Sequence, residues 1–388
     1  MQFDWNTEER VLHERFRQIG AEIARQRSGA PEGFDHAGWR RLGEEGLWRL
    51  AIPRAYGGDE RGWWSFTAAL DGLAQGIRTP ALLLSAIAQA GMIRAFSEYG
   101  RDAQKEQYFR AILAGELSAT AIAEPTTGTD VRSIGTQLVP DGDAYRLSGN
   151  KFNIAHAPIA SFTLVVTKLV GTDTDGVTLV VLDHDAAGMT LGQPDQKFGN
   201  RDLPTGPITF DNVPVRRDQI LGTPGRGLQQ LINIISLGRL YYGLVSAALV
   251  EPYLDDALDY ASARHSFNET IAEHQYVQKR LVDVRIGIER TRWLAYAALD
   301  RLLGKQPDSL MLCSIAKLVG ADDLVNSAIS LMKLQGSTGY HEGVLSVLAR
   351  DALGFASVGG TEEMHRKNIF NQMVRLRERS QQVQEAAA

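Results

Sequence analysis

A chain of 388 residues with a single cysteine, Cys313, can close no internal disulfide and offers no multi-thiolate metal site. Cys313 lies in an apolar helical stretch and reads as a buried small hydrophobe, a poor nucleophile. Positive charge is not in excess either. The 41 Lys and Arg face 46 Asp and Glu, a formal charge of −5, so the sequence shows no basic footprint for nucleic acid or an anionic membrane. The eight histidines are scattered, and His265 and His274 stand too far apart to share a helical turn, so no metal site is expected. Gly-x-x-x-x-Gly-Lys-Ser/Thr, a strand-linked Gly-x-Gly-x-x-Gly and His-Glu-x-x-His are all missing, which withdraws support from nucleotide hydrolysis, a dinucleotide fold and zinc proteolysis. No run of about 18 uncharged apolar residues occurs. The most apolar stretch, Pro80 to Phe96, is interrupted by Gln89 and Arg94 and reads as a buried helix. The opening MQFDWNTEER lacks a basic-then-apolar leader, so a cytoplasmic protein is expected. No internal repeat stands out.

What is present is ordinary globular composition, 44% hydrophobic and 22% charged, in a chain long enough for two or three domains at about 150 residues each. Residues 1–115 carry helical spacing, as in Val11, Phe16, Ile19 and Ile23, with breaks at Pro53, Gly57-Gly58 and Thr79-Pro80. Between 116 and 225 the texture turns to short β-branched runs separated by turn residues, such as Phe162 to Val166 and Val177 to Leu182. From 226 to 388 the helical period returns in long segments, about 227 to 262, 272 to 303 and 308 to 335, which implies a bundle. The expectation is an α+β protein: an N-terminal helical domain, a central β-barrel and a C-terminal four-helix bundle.

Several motifs add a more specific reading. Ala121-Ile122-Ala123-Glu124-Pro125-Thr126-Thr127-Gly128-Thr129-Asp130 resembles the acyl-CoA dehydrogenase signature. It is joined, in order and spacing, by Leu147-Ser148-Gly149-Asn150-Lys151, Lys197-Phe198-Gly199, Phe210-Asp211-Asn212-Val213-Pro214, Arg264-His265-Ser266-Phe267 and Gln335-Gly336-Ser337-Thr338-Gly339. The resemblance runs the length of the chain. It implies FAD held between barrel and bundle, usually against a neighbouring subunit in a homodimer or homotetramer. It also implies an acyl thioester oxidised by loss of an α-proton and a β-hydride, and an electron acceptor or flavin reductase as partner.

Carried over by position, Ala121, Ile122, Ala123 and Thr129 would line the flavin, as would Asn153, Ile154 and Ala155. Arg264 would sit on the pyrophosphate, where a fixed fork of donors suits anionic oxygens. Phe267 and Gln275 would flank the cofactor, Gly336 would approach the FAD of an adjacent subunit, and Thr361 and Glu363 would touch its adenosine portion. Locally, Gly336 reads equally as a helix C-cap and Thr361 as an N-cap. Ser236 falls where an Asp of the family commonly contacts the pantetheine arm, whereas Arg239 retains the Arg after it, and both are candidates for substrate binding.

The departures are informative. The family's catalytic Glu usually stands at the place of Gly359, or in a minority at that of Gly238, and glycine can abstract no proton. Asn153, Ala155 and Ala123 replace an aromatic, a hydroxyl and a Thr, which implies a more open and differently polarised flavin pocket. His156, Tyr241 and Tyr242 are the titratable or phenolic side chains that the sequence offers as replacements. The two glycines fit either added room for a bulky substrate or lost acid-base chemistry, and Gly359→Glu is expected to restore oxidation if only the base is missing. The leading function is FAD-dependent oxidation of an acyl or aminoacyl thioester on CoA or a carrier protein. A flavin monooxygenase and an inactive FAD-binding homologue stay open as alternatives.

Overall fold

The computed structural model describes residues 5–27, 33–127 and 130–387. The N-terminal block is helical: α1 (Thr7–Gln26), α2 (His36–Glu44), α3 (Gly62–Ile77), α4 (Pro80–Tyr99) and α5 (Asp102–Leu113). Their starts follow from local chemistry. Asn6 accepts the Glu9 amide at 2.9 Å while Glu9 takes the Asn6 amide at 3.0 Å, a reciprocal cap, and Pro80 opens α4 where a missing N–H costs nothing. Helices α1 and α3 cross closely because glycine leaves room. A Cβ on Gly72 would meet the His13 carbonyl at 2.0 Å, and one on Gly76 the Arg17 carbonyl at 2.2 Å.

The middle block is one eight-stranded mixed sheet, built from β1 (Ser118–Ala121), β2 (Gln137–Asp141), β3 (Ala144–Ala155), β4 (Phe162–Leu169), β5 (Gly176–Asp183), β6 (Met189–Leu191), β7 (Thr205–Val215) and β8 (Ile220–Leu221). The order is β6-β7-β3-β2-β4-β5-β8, with β1 added parallel to β4. The expected barrel is not formed. The two end strands, the three-residue β6 and the two-residue β8, do not pair with each other, so among the described residues the sheet stays open. Its centre is apolar on both faces: Leu164, Val165 and Val166 of β4 and Leu179, Val180 and Val181 of β5 are fully buried.

The C-terminal block holds α6 (Gly227–Ala263), a hairpin of β9 (His265–Ser266) and β10 (Glu269–Thr270), then α7 (Gln275–Leu303), α8 (Ser309–Leu334), α9 (Val344–Gly354) and α10 (Glu362–Ala387). Helices α6, α7 and α8 pack mutually, and α10 lies on α8. Glycine again sets a close crossing, since a Cβ on Gly320 of α8 would lie 2.6 Å from the Gly243 Cα of α6. Helices α4 and α6 are apolar and long enough to cross a membrane, and most of the residues that make them so are buried within the fold.

Polar contacts tie the blocks together. Tyr296 of α7 donates to Asp71 of α3 at 2.5 Å, Gln89 of α4 meets the Ser118 hydroxyl of β1 at 2.9 Å, and Asp351 of α9 accepts the Asn200 amide at 2.6 Å.

Candidate active site

The sheet side of the site is shaped by one carboxylate. Glu124, just past β1, accepts from the Gly135 amide at 2.6 Å, the Thr136 amide at 3.0 Å, the Thr136 hydroxyl at 2.6 Å and Lys151 Nζ at 2.8 Å. Burial alone would raise its pKa, but the bonds from Lys151, Thr136 and Gly135 outweigh that and hold it at about 2. Lys151 of β3 also donates to the Ile122 carbonyl at 3.0 Å, and the Phe152 amide to the Ala123 carbonyl at 2.9 Å. Residues 121–124 and 151–155 therefore form one braced surface. Ala121 and Ile154 are buried beneath it, Ile122, Ala123 and Ala155 are half-buried, and Asn153 is exposed with φ +53°. Glu124 and Lys151 were not singled out as site residues from the sequence; the signal available was an acid inside the Ala121–Asp130 motif and a Lys closing the next one. Thr129 lies outside the described residues.

On the bundle side, Arg264 and Phe267 lie in the α6–α7 hairpin and Gln275 opens α7. The Arg264 guanidinium is exposed and has no hydrogen-bond or ion-pair partner among the described residues, and Phe267 is 91% exposed at φ +53°. Gly336 follows α8 at φ +61° with open space around it, which is also a C-cap geometry. Thr361 caps α10, its hydroxyl accepting the Met364 amide at 3.4 Å, and Glu363 stands exposed in the first turn.

The candidate replacements for the missing Glu separate clearly. His156 is fully buried beside Phe34, with Nε2 2.7 Å from the Ser85 hydroxyl, and burial pushes it down to about 4. Tyr241 faces the N-terminal block, 2.9 Å from the Thr67 hydroxyl, and burial pushes its phenol up. Both serve contacts between elements. Tyr242, about 100° farther round α6, turns the other way. A Cβ on Gly359 would stand 2.4 Å from the Tyr242 ring, and one on Gly238 would stand 3.9 Å from it. The two glycines thus face one aromatic ring. The Tyr242 ring already fills the space at Gly359, so of the two readings left open the one of added room finds no support there, whereas Gly238 meets its neighbours only at ordinary contact distances, Ile87 at 3.5 Å being the nearest. Burial pushes the Tyr242 phenol up to about 12, so it is a hydrogen-bond donor at neutral pH rather than a base.

The buried side chains that pack on the segment from Gly359 to His365 include two cations, Arg239 and Lys317, while the acids Glu362 and Glu363 within it are exposed. Arg239 is buried, its Nη2 touching only the Met364 sulfur at 3.7 Å and its Nε unpartnered. Lys317 of α8 donates to the carbonyls of Gly360 at 2.8 Å and Ala356 at 3.2 Å. His365 Nε2 lies 3.2 Å from the Gly359 carbonyl, which leaves Nδ1 without a partner, and burial beside Arg239 and Lys317 pushes it down to about 3. Ser236 is buried, its hydroxyl taken by the Ile232 carbonyl at 2.6 Å.

Family models match three consecutive stretches: the acyl-CoA dehydrogenase N-terminal domain over residues 6–116, its middle domain over 119–213 and its C-terminal domain over 225–374. The chain belongs to the acyl-CoA dehydrogenase family. As a member it is a flavoprotein oxidoreductase whose cofactor is FAD. The residues present fit that cofactor: a braced apolar surface on the sheet side, and on the hairpin an unpaired guanidinium beside an uncovered aromatic ring. Similar proteins include the 3-(aryl)acrylate reductase of Clostridium sporogenes, 26% identical over 340 residues, covering 87% of this chain and 89% of that one. The L-prolyl-[peptidyl-carrier protein] dehydrogenase of Pseudomonas fluorescens is 26% identical over 340 residues, 86% of this chain and 89% of its own. A solved FAD-dependent dehydrogenase superposes with a TM-score of 0.89 at 26% identity, covering 96% of this acyl-CoA dehydrogenase family chain and 99% of its own.

Proposed function

We propose that the protein is an FAD-dependent oxidoreductase of acyl thioesters carried on CoA or on a carrier protein. The observation that carries this reading is the family match over all three domains, joined to a sheet surface that Glu124 and Lys151 brace where the family holds its flavin. When bound, FAD supplies the acceptor for the β-hydride. The chain's own residues bind and orient. Ala121 to Ala123 and Asn153 to Ala155 offer the flavin face, Arg264 offers a cation for the pyrophosphate, and Phe267 and Gln275 close the side. Gly336, Thr361 and Glu363 complete the cofactor's surroundings, with a second copy of the chain covering the hairpin. Ser236 falls where the pantetheine arm would run, and Arg239, farther along α6, faces the acyl end beside Met364.

The proton chemistry differs from the family's usual course. Tyr242 stands at the acyl end as a protonated donor, and His365 stays neutral throughout the physiological range. Neither supplies the strong base that a Glu would. The relatives described above carry out a reduction and a dehydrogenation, which favours dehydrogenation chemistry over oxygenation.

Purified protein should carry FAD, and acyl-pantetheine thioesters should perturb its visible spectrum at saturable concentrations. Protein that folds but neither retains nor takes up FAD would overturn this reading.

A further inference from the structure

The acyl end holds two buried cations, and Arg239 has no acid paired with it among the described residues. Arg239 is 5% exposed and Lys317 1% exposed, and both turn to the 359–365 segment. Their partners are all neutral: a thioether sulfur for Arg239 and two backbone carbonyls for Lys317. Among the described residues neither forms an ion pair. Arg94 of α4 is buried as well, gives one bond to Asn233 at 2.9 Å and leaves Nε unpartnered. Asn233 precedes Arg239 on α6 by about 9 Å of helix. The nearest acids on the same side, Glu362 and Asp322, are exposed, and Glu362 is engaged by Arg366. The remaining groups are uncharged at neutral pH: His365, the Tyr242 phenol and the Cys313 thiol, which burial pushes up to about 12.

Native interiors rarely leave a buried cation uncompensated, because desolvation is then repaid by nothing. Arg239 retains its full charge here, since burial lowers its pKa only to about 10. Gly238 and Gly359, where the family's Glu falls, supply no carboxylate. Among the described residues the counter-charge for Arg239 is therefore missing.

We propose that this charge comes from the substrate: the acyl group bears an anionic substituent, a carboxylate, that pairs with Arg239 and shares the field of Lys317. The inference rests on the thioester reading above and narrows it. A carboxylate is a geometric match for the guanidinium fork, and the unpartnered Nε supplies one of the two parallel bonds. The same field opposes an ammonium, so aminoacyl groups that carry a protonated amine are disfavoured at this site.

Three phosphopantetheine thioethers test this on the FAD-loaded protein, because a thioether lacks the carbonyl that makes oxidation possible and reports binding alone. Their four-atom tails end in a carboxylate, a methyl or an ammonium group, and binding is followed by calorimetry at pH 7. The carboxylate form is expected to bind at least tenfold tighter than the methyl form, with the ammonium form weakest. Arg239→Met is expected to level the three while melting at or above the wild-type temperature, since it removes an unpaired buried charge. Equal binding of carboxylate and methyl forms, or tightest binding by the ammonium form, would overturn the proposal and leave the thioester reading intact. An unchanged ranking in a folded Arg239→Met protein would also overturn it. Failure of all three to bind would remove the thioester reading and this inference with it.

Discussion

Two glycines and one tyrosine decide the chemistry at the scale of single residues. Gly359 sits at φ +71° with the Tyr242 ring where its Cβ would go, so Gly359→Glu, the substitution the sequence suggests for restoring a base, meets both backbone strain and a steric block. Gly359→Glu is expected to cost about 1–3 kcal/mol or more in thermal or urea unfolding and to gain no activity. Gly238→Glu has room for its first carbon beside Ile87 and Tyr242, and it is expected to raise the rate of flavin reduction by a neutral acyl-CoA by about 10²-fold. Stopped-flow absorbance under anaerobic conditions measures that rate, and no gain in a folded, FAD-loaded variant would count against a missing base. Glu124 works at a distance from the chemistry. Removing it in Glu124→Ala strands the buried Lys151 charge, with an expected loss of about 3–5 kcal/mol in unfolding experiments. The 121–124 segment would lose its brace, so FAD retained through gel filtration should fall as well.

Secondary-structure elements show what the sequence could and could not reveal. Helical spacing placed long segments near 227–262, 272–303 and 308–335, and the structure has α6, α7 and α8 at Gly227–Ala263, Gln275–Leu303 and Ser309–Leu334. Such periods are local and survive in one sequence. Sheet closure is not local. Nothing in the β6 or β8 residues states whether their outer edges meet, and the expected barrel proves to be an open sheet. Side-chain direction on a helix is equally hidden. Tyr241 and Tyr242 are neighbours in sequence, yet one binds Thr67 of α3 and the other lies against Gly359. Glu124 and Lys151 are separated by a whole strand, β2, and pair only once the sheet forms. The α1–α3 crossing makes a prediction at this scale. Gly72→Ala would press a methyl into the His13 carbonyl and is expected to lower stability by about 1–3 kcal/mol in thermal denaturation, whereas Gly91→Ala, with open space around it, should leave the melting temperature unchanged or slightly raised.

The whole molecule is held by junctions between its three blocks, and one of them is sensitive to pH. Asp351 of α9 receives the Asn200 amide from the sheet block, and Asp202 beside it pairs with Arg27 of the N-terminal block at 3.1 Å. Burial pushes the Asp351 carboxyl up to about 6. The folded chain therefore holds a proton that the unfolded chain, with an ordinary carboxyl near 3.8, has released. Stability contributed by this group is fully present below about pH 4 and declines as pH rises to about 6. Asp351→Asn should flatten that decline in melting temperature across the same window. A slope unchanged by the substitution would place the titration elsewhere.

We propose that this chain oxidises a thioester without the family's Glu, with the buried Arg239 receiving an anionic group on the acyl chain. The most direct test mixes the FAD-loaded protein anaerobically with phosphopantetheine thioesters whose acyl chains end in a carboxylate or a methyl group, and follows the flavin's visible absorption. Bleaching is expected, faster and at lower concentration with the carboxylate-bearing chain. An FAD-loaded protein that none of these thioesters bleaches would contradict the proposal.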